Sequence, residues 1–497
     1  MTNSFSYKLN TDDIVTLRTI LTNIAGIGYS ESTVCDRLGL KDICDLQMRS
    51  LPIYRKERLM ERSHLDIAID LFLLQGAIRS VEYYKLFNKQ EFDFLVRIGI
   101  LKISDNNTIQ TTVALFPVKN RLFFSDHAWP QLLENENFTP PFDQVMFIGT
   151  DSQWLARATV RRPVSRALDL CTGSGIHALL AATHAKEVVA VDINPRAAAC
   201  THFNAQLCGA DNIDIKIGDL YAPVGEQQFD LITANPPFVP APADTLGFRD
   251  GGNSGEDVQR RIVAGLAKYL APGGIAQIVT EVGESDGDPV DGRVRRWLEG
   301  APMDIHVLRL RIIPAATYAM GHAQGDTPHA FLNSVEAWAD NLRAQGFTRV
   351  VSVLLAFEWS EATCGEPFNR VDEAYPPVRD AGGEIEAAFA AYHLIQNSSF
   401  RQKLRTSRVA RTGPVIVSEG RLLGSELPPT CRAVLSAQAM PVEYQLDSVE
   451  RDLLDAIDNP VDVATLAELS RSINIDESTM YTALESLLCK RLISICV

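Results

Sequence analysis

The sequence predicts an α/β protein with a seven-stranded sheet in the middle of the chain and helical segments at both ends. Three observations carry this. The apolar stretch Ala167-Leu-Asp-Leu170 stops at the Gly-rich turn Cys171-Thr-Gly-Ser-Gly175 and resumes as the apolar face of a helix, the pattern of a strand-turn-helix unit. A second strand, Glu187–Asp192, ends in an acid. A fourth, Phe229–Ala234, runs directly into Asn235-Pro236-Pro237-Phe238. Strands alternating with helices around a Gly-rich first turn are the signature of a Rossmann-like sheet, whose ligands sit at the carboxyl ends of the strands.

The elements follow in order. Residues 1–135 begin with helical periodicity, including Asp12–Ile24 and Leu65–Gln75. The stretch Gln90–Leu101 then leads into strand-like Leu101-Lys-Ile-Ser104, the turn Asp105-Asn-Asn-Thr108, and strand-like Ile109–Leu115 and Asn120–Phe124. Helices followed by a β-hairpin form a winged-helix pattern, a module that dimerises over substrates or binds DNA. Pro140-Pro141 marks a hinge into a central domain, 140–360. After the second strand, Pro195 opens a helix, and Ile213–Ile217 is the third strand. Pro272–Val279 holds the fifth strand; a helix near 290–299, a sixth strand at Asp304–Ile312, a helix at Ala330–Gln345 and a seventh strand at Arg349–Phe357 complete the sheet. Residues 361–445 are mixed in pattern and stay unplaced. From Leu446 the chain is helical again (Leu446–Ile457, Val463–Ser470, Glu477–Leu488) and ends on Arg491–Cys496, a second small winged-helix-like unit, 446–497.

The chemistry concentrates at the strand ends. Gly173 and Gly175 permit a tight turn and close approach of a ligand at a helix N-terminus. With Ala178 they also satisfy the dinucleotide spacing G-x-G-x-x-G/A, so the turn alone does not choose a cofactor. Asp192 stands where a nucleoside-binding fold places a carboxylate to accept both ribose hydroxyls, and the alternative is a helix N-cap ahead of Pro195. NAD and S-adenosylmethionine share that ribose. The Asn-Pro-Pro-Phe turn separates them: hydride transfer has no use for it, whereas methyl transfer to an NH2 on an sp2 carbon needs that planar group held in one orientation. The Asn235 side-chain oxygen and the Pro236 carbonyl accept its two N–H hydrogens, the prolines lock φ, and Phe238 offers a face to the planar group.

On these motifs residues 140–360 resemble class I S-adenosylmethionine-dependent methyltransferases of the (N/D)-P-P-(Y/F) branch, which includes the release-factor glutamine N5-methyltransferases and the adenine and guanine amino-methyltransferases. The resemblance implies S-adenosyl-L-methionine as cofactor. It implies cofactor contacts for Asp169, Thr172, Gly173, Gly175, Asp192, Ile193, Asp219, Leu220 and Asn235, with Asp219 accepting the adenine amino group and Leu220 packing on the ring or offering its N–H. Asn235, Pro236 and Phe238 take the catalytic roles. The polar stretch Phe147–Leu155 is similar to the family's loop over the cofactor, bringing in Asp151 and Ser152, and Phe248–Glu256 is similar to its substrate-side loop. Position 238 is Phe where the glutamine-modifying enzymes usually carry Tyr, which leaves the acceptor open.

Composition bounds the function. The chain has 497 residues, 46% of them hydrophobic, and no run approaching the roughly 18 apolar residues of a membrane span, predicting a cytoplasmic, well-cored globular protein of more than one domain with no membrane contact. Its N-terminus lacks the charged and apolar regions of a signal peptide. Nine scattered cysteines without C-x-x-C, and nine histidines without a close ligand pair, predict neither disulfides nor a metal. His177 reads as an exposed first-turn helix residue. A net charge of −15 works against phosphate neutralisation and places nucleic acid second as a partner. Two basic clusters run the other way: Arg157, Arg161, Arg162 and Arg166, and Arg401, Lys403, Arg405, Arg408 and Arg411, the second being the better candidate for an anionic substrate. In 446–497 acids outnumber bases ten to four, which suits protein contact better than DNA. The leading reading is N-methylation of an amide or amino group on a protein side chain or small metabolite, with a homodimer through the N-terminal domain. The alternatives are rRNA or DNA amino-methylation, O-methylation of a natural product, and a scaffold with a vestigial domain.

Overall fold

The structure is a computed structural model that describes residues 5–47, 50–104, 106–127, 142–243, 247–359, 367–397, 399–420 and 430–496. The expected hinge at Pro140-Pro141 lies outside the described residues. Eleven strands form one central mixed sheet. In chain order these are β1 (Val164–Leu170), β2 (Ala185–Asp192), β3 (Ile213–Ile217), β4 (Phe229–Ala234), β5 (Leu270–Glu284), β6 (Asp304–Pro314), β7 (Arg349–Glu358), β8 (Asn369–Ala374), β9 (Val415–Gly420), β10 (Thr430–Leu435) and β11 (Val442–Leu446). They lie side by side as β3-β2-β1-β4-β5-β7-β6-β8-β11-β10-β9. The first five are mutually parallel, and β7 is antiparallel to both β5 and β6.

β1 to β7 are the seven strands the sequence predicts, and β3 and β4 begin and end on the expected residues. The sheet is nonetheless larger than expected, because the unplaced stretch 361–445 adds four strands, with β8 joining parallel to β6. The chain leaves β1 toward β3 and returns to β4 on its other side. The carboxyl ends of β1 and β4 therefore flank the point where strand order reverses, where such sheets open a crevice.

The N-terminal segment packs on this sheet's helical layer rather than standing apart. It holds helices Thr11–Gly26, Glu31–Leu38 and Lys89–Arg97, the last packed on a small three-stranded sheet of Ile78–Arg79, Leu101–Ile103 and Thr108–Thr111. The strand expected over Ile109–Leu115 is broken: one strand ends at Thr111 and another starts at Ala114, pairing with Arg121–Ser125. Lys119 and Asn120 at that hairpin's tip both have positive φ, 46° and 61°, as a two-residue hairpin turn demands. Asn204, on helix Pro195–Cys208, clasps the hairpin by accepting from Phe124 N at 2.9 Å and donating to Phe124 O at 2.8 Å. One apolar cluster runs from Phe5 through Phe124 to Leu179 and Phe203, so the two parts share a core.

The C-terminal helices Ser448–Ala456, Val463–Ser472 and Glu477–Cys489 pack over a three-stranded sheet whose middle strand, Arg408–Arg411, precedes them by some forty residues in the chain. The basic cluster and the acidic segment neutralise each other. Arg401 pairs with Glu485 at 2.6 Å, Arg405 with Glu477 at 3.3 Å, Arg408 with Asp462 at 3.8 Å and Arg411 with Asp458 at 3.1 Å. The cluster expected to meet an anionic substrate thus meets carboxylates of its own chain. No helix among the described residues is long and apolar enough to cross a membrane.

Candidate active site

A cavity of about 530 Å³ opens at the carboxyl ends of β1, β2 and β4, within the usual range for small-ligand sites. Its wall includes Thr172, Gly173, Asp192, Ile193, Asp219, Leu220 and Asn235, seven of the residues singled out by the sequence.

The floor is built by Asp169, which does not face the cavity. Its carboxylate is buried and accepts from Thr172 Oγ1 at 2.6 Å, Thr233 Oγ1 at 2.8 Å and Ala178 N at 3.1 Å. Burial nevertheless pushes its pKa up to about 7 against those three hydrogen bonds. Asp169 therefore shapes the turn from beneath. Gly173 and Gly175, both at positive φ (56° and 83°), divide their work. A Cβ on Gly175 would meet Leu179 Cδ1 and Thr201 Cγ2 at 2.8 Å, so this glycine serves helix packing and lies behind the wall. A Cβ on Gly173 would meet only Cys171 O, at 4.0 Å, and would point into open space.

Asp192 closes β2. One oxygen accepts from Gly173 N and the other from Asn194 N, each at 2.9 Å, and burial raises its pKa. A carboxylate has about four lone-pair sites, so each oxygen keeps one for a ligand hydroxyl. The N-cap of the following helix is Asn194, whose side chain accepts from Arg196 N, which frees Asp192 from that task. Asp219 is half-exposed and holds Arg261 at 2.6 Å, and Leu220 takes a left-handed φ of 49°, a strained position for a branched residue.

Asn235 is the most distinctive group. Its Nδ2 donates to Asp151 Oδ2 at 2.9 Å and to Ser152 Oγ at 3.1 Å, while its Oδ1 is buried with no hydrogen-bond partner. Asp151 is partly buried, and its desolvation raises its pKa; as a carboxylate it accepts only and so holds the amide nitrogen toward itself. Ser152 lines the cavity and Asp151 stands behind it. In the turn, Pro237 lines the cavity, Pro236 is buried behind it, and Phe238 packs away from the cavity on a cluster with Val239, Tyr318 and Trp338. The expected aromatic face at 238 is thus turned into the protein by helices Ala315–His322 and Pro328–Ala344. The loop 248–256 is laced to the turn: Phe238 N and Val239 N both donate to Arg249 O, and Gly251 N donates to Val239 O. Added Cβ atoms on Gly251 and Gly255 would strike the carbonyls of Pro237 and Phe238, so both glycines are needed for this contact.

Sequence reasoning missed several wall residues, among them Phe142–Met146 just ahead of the polar stretch and Arg261. It also misplaced His177, which is buried in the wall rather than exposed, its pKa pushed down to about 3 by burial and the nearby Arg161. Its position on the turn's own helix, facing the cavity, was the available signal.

Residues 148–285 carry the turn, Asp192, Asp219, Asn235 and the glycine loop, and they match the model of the methyltransferase small domain. This part of the chain is similar to methyltransferase small domains. A stretch of the chain is 40% identical over 134 residues to the ribosomal protein uL3 glutamine methyltransferase of Bradyrhizobium diazoefficiens, covering 24% of this chain and 41% of that protein. Another, over 153 residues, is 34% identical to the release factor glutamine methyltransferase of Geobacter sulfurreducens, covering 27% and 53%. The chain thus spans about half the length, or less, of these curated relatives. Among solved structures, a putative sarcosine dimethylglycine methyltransferase from Galdieria sulphuraria aligns at 18% identity and a TM-score of 0.28, covering 43% of this chain and 86% of that one. The small domain's cavity fits S-adenosylmethionine: Asp192 has lone pairs to spare for a ribose, and Gly173 leaves its approach open.

Proposed function

We propose that this chain transfers a methyl group from S-adenosylmethionine to the nitrogen of a planar amide, with a glutamine side chain of a protein as acceptor. One observation carries the reading: Asn235 is clamped through its nitrogen while its oxygen, a buried acceptor at the cavity wall, has no partner. Buried acceptors are nearly always satisfied in folded proteins, so an orphan at a ligand wall points to a donor supplied by the ligand. The names of the matched relatives, glutamine methyltransferases acting on a ribosomal protein and on release factors, support the acceptor class.

S-adenosylmethionine supplies an electrophilic methyl group on a sulfonium. The chain does the rest by positioning. Asp192 would receive the ribose hydroxyls, and Asp219 and Leu220 would flank the adenine. Asn235 Oδ1 and the Pro236 carbonyl accept the two N–H hydrogens of the acceptor, turning its lone pair toward the methyl carbon and stabilising positive charge as it develops on nitrogen; the strongly acidic N-protonated amide then releases one of those protons to water. Asp169 and Gly175 hold the turn. Such an arrangement suits nitrogen better than oxygen, because a hydroxyl offers one hydrogen and needs a base. The ion pairs that cover Arg401–Arg411 likewise speak for a protein acceptor over nucleic acid.

We also read the flanking segments as winged-helix-like, since each sets helices against a small three-stranded antiparallel sheet. The testing experiment is transfer of labelled methyl groups to glutamine-containing proteins, with peptide mapping of the product. Label on a glutamine amide, lost in Asn235→Ala, is the expected result; label on a hydroxyl or on RNA refutes the reading.

A further inference from the structure

Three side chains of metal-ligand type converge far from the crevice, where β6 begins and β7 ends. Asp304 and Glu358 are direct partners across this antiparallel pair, and His393 reaches them from helix Gly382–Gln396. One ligand atom from each lies within 4.8 Å of the other two. His393 Nε2 is 2.8 Å from Asp304 Oδ2 and 3.6 Å from Glu358 Oε2.

Like charges placed opposite each other on neighbouring strands repel. A single ring nitrogen has at most one hydrogen to give, and the shorter contact assigns it to Asp304. Glu358 Oε2 is left buried with no hydrogen-bond partner. The nearby guanidinium of Arg162 is engaged by Glu386 at 2.9 Å. Asp304 is itself aimed: its other oxygen accepts from Phe368 N at 2.7 Å, the kind of outer hydrogen bond that orients a ligating carboxylate. A proton bridges two of the three groups; a divalent cation satisfies all three.

We propose that Asp304, Glu358 and His393 form a binding site for a divalent transition-metal ion, with Zn2+ as the ion whose ligand preferences they fit. Zinc bonds of about 2.0–2.2 Å to nitrogen and oxygen put tetrahedral ligands roughly 3.3–3.6 Å apart, within the span of the two separations seen here, 2.8 and 3.6 Å. His393 is partly exposed, which gives the ion an entry path and leaves the fourth position to water. The ion would pin helix Gly382–Gln396, part of the stretch the sequence left unplaced, to the middle of the sheet. The three ligands are 54 and 35 residues apart in sequence, so only the fold brings them together.

The test uses the full chain, reduced and chelator-treated, titrated calorimetrically with Zn2+, with bound metal counted by elemental mass spectrometry. The expected result is one ion per chain, with affinity reduced by roughly 100-fold in Glu358→Gln and in His393→Ala and S-adenosylhomocysteine binding unchanged in both. Glu358→Gln keeps the side chain's shape and relieves the carboxylate repulsion, so it reports on the site even if His393→Ala fails to fold. Co2+ loading adds a ligand signature, with d–d bands and no thiolate charge-transfer absorption. No stoichiometric uptake, uptake unchanged in both variants, or a thiolate band overturns the proposal.

Discussion

Asn235→Ala tests the site most directly, because the structure separates what that residue does for the reaction from what it does for the fold. Its unpartnered Oδ1 is the group assigned to the acceptor, and removing one preorganised group of this kind from a site of developing charge costs about 2.7–4 kcal/mol, or roughly 10²–10³ in rate. The same substitution takes the side-chain donor from Asp151, a partly buried carboxylate. Loss of a hydrogen bond to a charged group costs about 1.5–3 kcal/mol of stability. That second loss depends on pH with a definite sign. Asp151 already has a raised pKa, and without its donor the pKa rises further, so the variant takes up a proton at higher pH than the wild type. The stability deficit is therefore present at alkaline pH and shrinks as pH falls through the carboxyl's raised range.

Cofactor affinity stays within a few-fold of wild type, because Asp192, Gly173 and the Asp219-Leu220 pair are untouched. Single-turnover methyl transfer at saturating cofactor measures the first effect. Calorimetric titration with S-adenosylhomocysteine measures the cofactor, and denaturant unfolding at two pH values measures the stability. A loss of cofactor affinity equal to the loss in rate would refute the assignment, since Asn235 would then be a cofactor ligand alone.

Asp192→Ala does the reverse, weakening S-adenosylhomocysteine binding by roughly 10²-fold or more through loss of charge-assisted hydrogen bonds, as calorimetry will show. Gly175→Ala destabilises the fold by about 1–3 kcal/mol in denaturant unfolding, since its Cβ lands 2.8 Å from Leu179 and Thr201. Gly173→Ala carries only the backbone penalty of a positive φ, about 1 kcal/mol, but crowds the cavity, so its main effect appears in cofactor affinity. Asp169, with its pKa raised to about 7, binds a proton in the folded chain that the unfolded chain releases near pH 4, so its contribution to stability is lost as pH rises through that window. Asp169→Asn flattens this part of the stability–pH profile; an unchanged slope would mean that other groups set it.

Much of this architecture was legible because the buried parallel strands are written in apolar residues. In β4 (Phe-Asp-Leu-Ile-Thr-Ala), every residue but Asp230 is buried, and such a run bounded by turn residues declares itself. β8 is illegible by the same test. Asn-Arg-Val-Asp-Glu-Ala reads as a polar loop, yet Asp372 is held by His306 at 2.8 Å and by Arg370 at 2.7 Å, so its polarity is satisfied by partners that hydropathy does not see. β9 exposes most of its side chains and pairs only with β10 in the sheet, with an Arg451–Glu419 ion pair at 3.0 Å as a further tie. The misreading of His177 has the same root: helical periodicity assigns a face, but the cavity wall occupies a face that ordinary packing would leave to solvent.

At the candidate site the residue types were legible, and their division of labour was not, because that depends on how many lone pairs the protein itself consumes. Asp169, Asp192 and Asn235 stand at or beside the carboxyl ends of three strands, β1, β2 and β4, and from sequence alone they are three similar polar residues above one crevice. The fold distinguishes them by hydrogen-bond satisfaction. Asp169 accepts three protein donors and does not line the cavity, so it is architecture. Asp192 accepts one backbone donor on each oxygen and keeps capacity facing the cavity, which suits a cofactor that stays bound through the reaction. Asn235 commits its nitrogen to Asp151 and Ser152 and leaves its oxygen with nothing. An unpaired buried acceptor destabilises the free protein and is relieved only when a donor arrives, so its cost is recovered in the complex with the reacting group. The gradient from satisfied to orphaned therefore runs from fold, through cofactor, to chemistry, and it ranks the three residues by function using hydrogen-bond geometry alone.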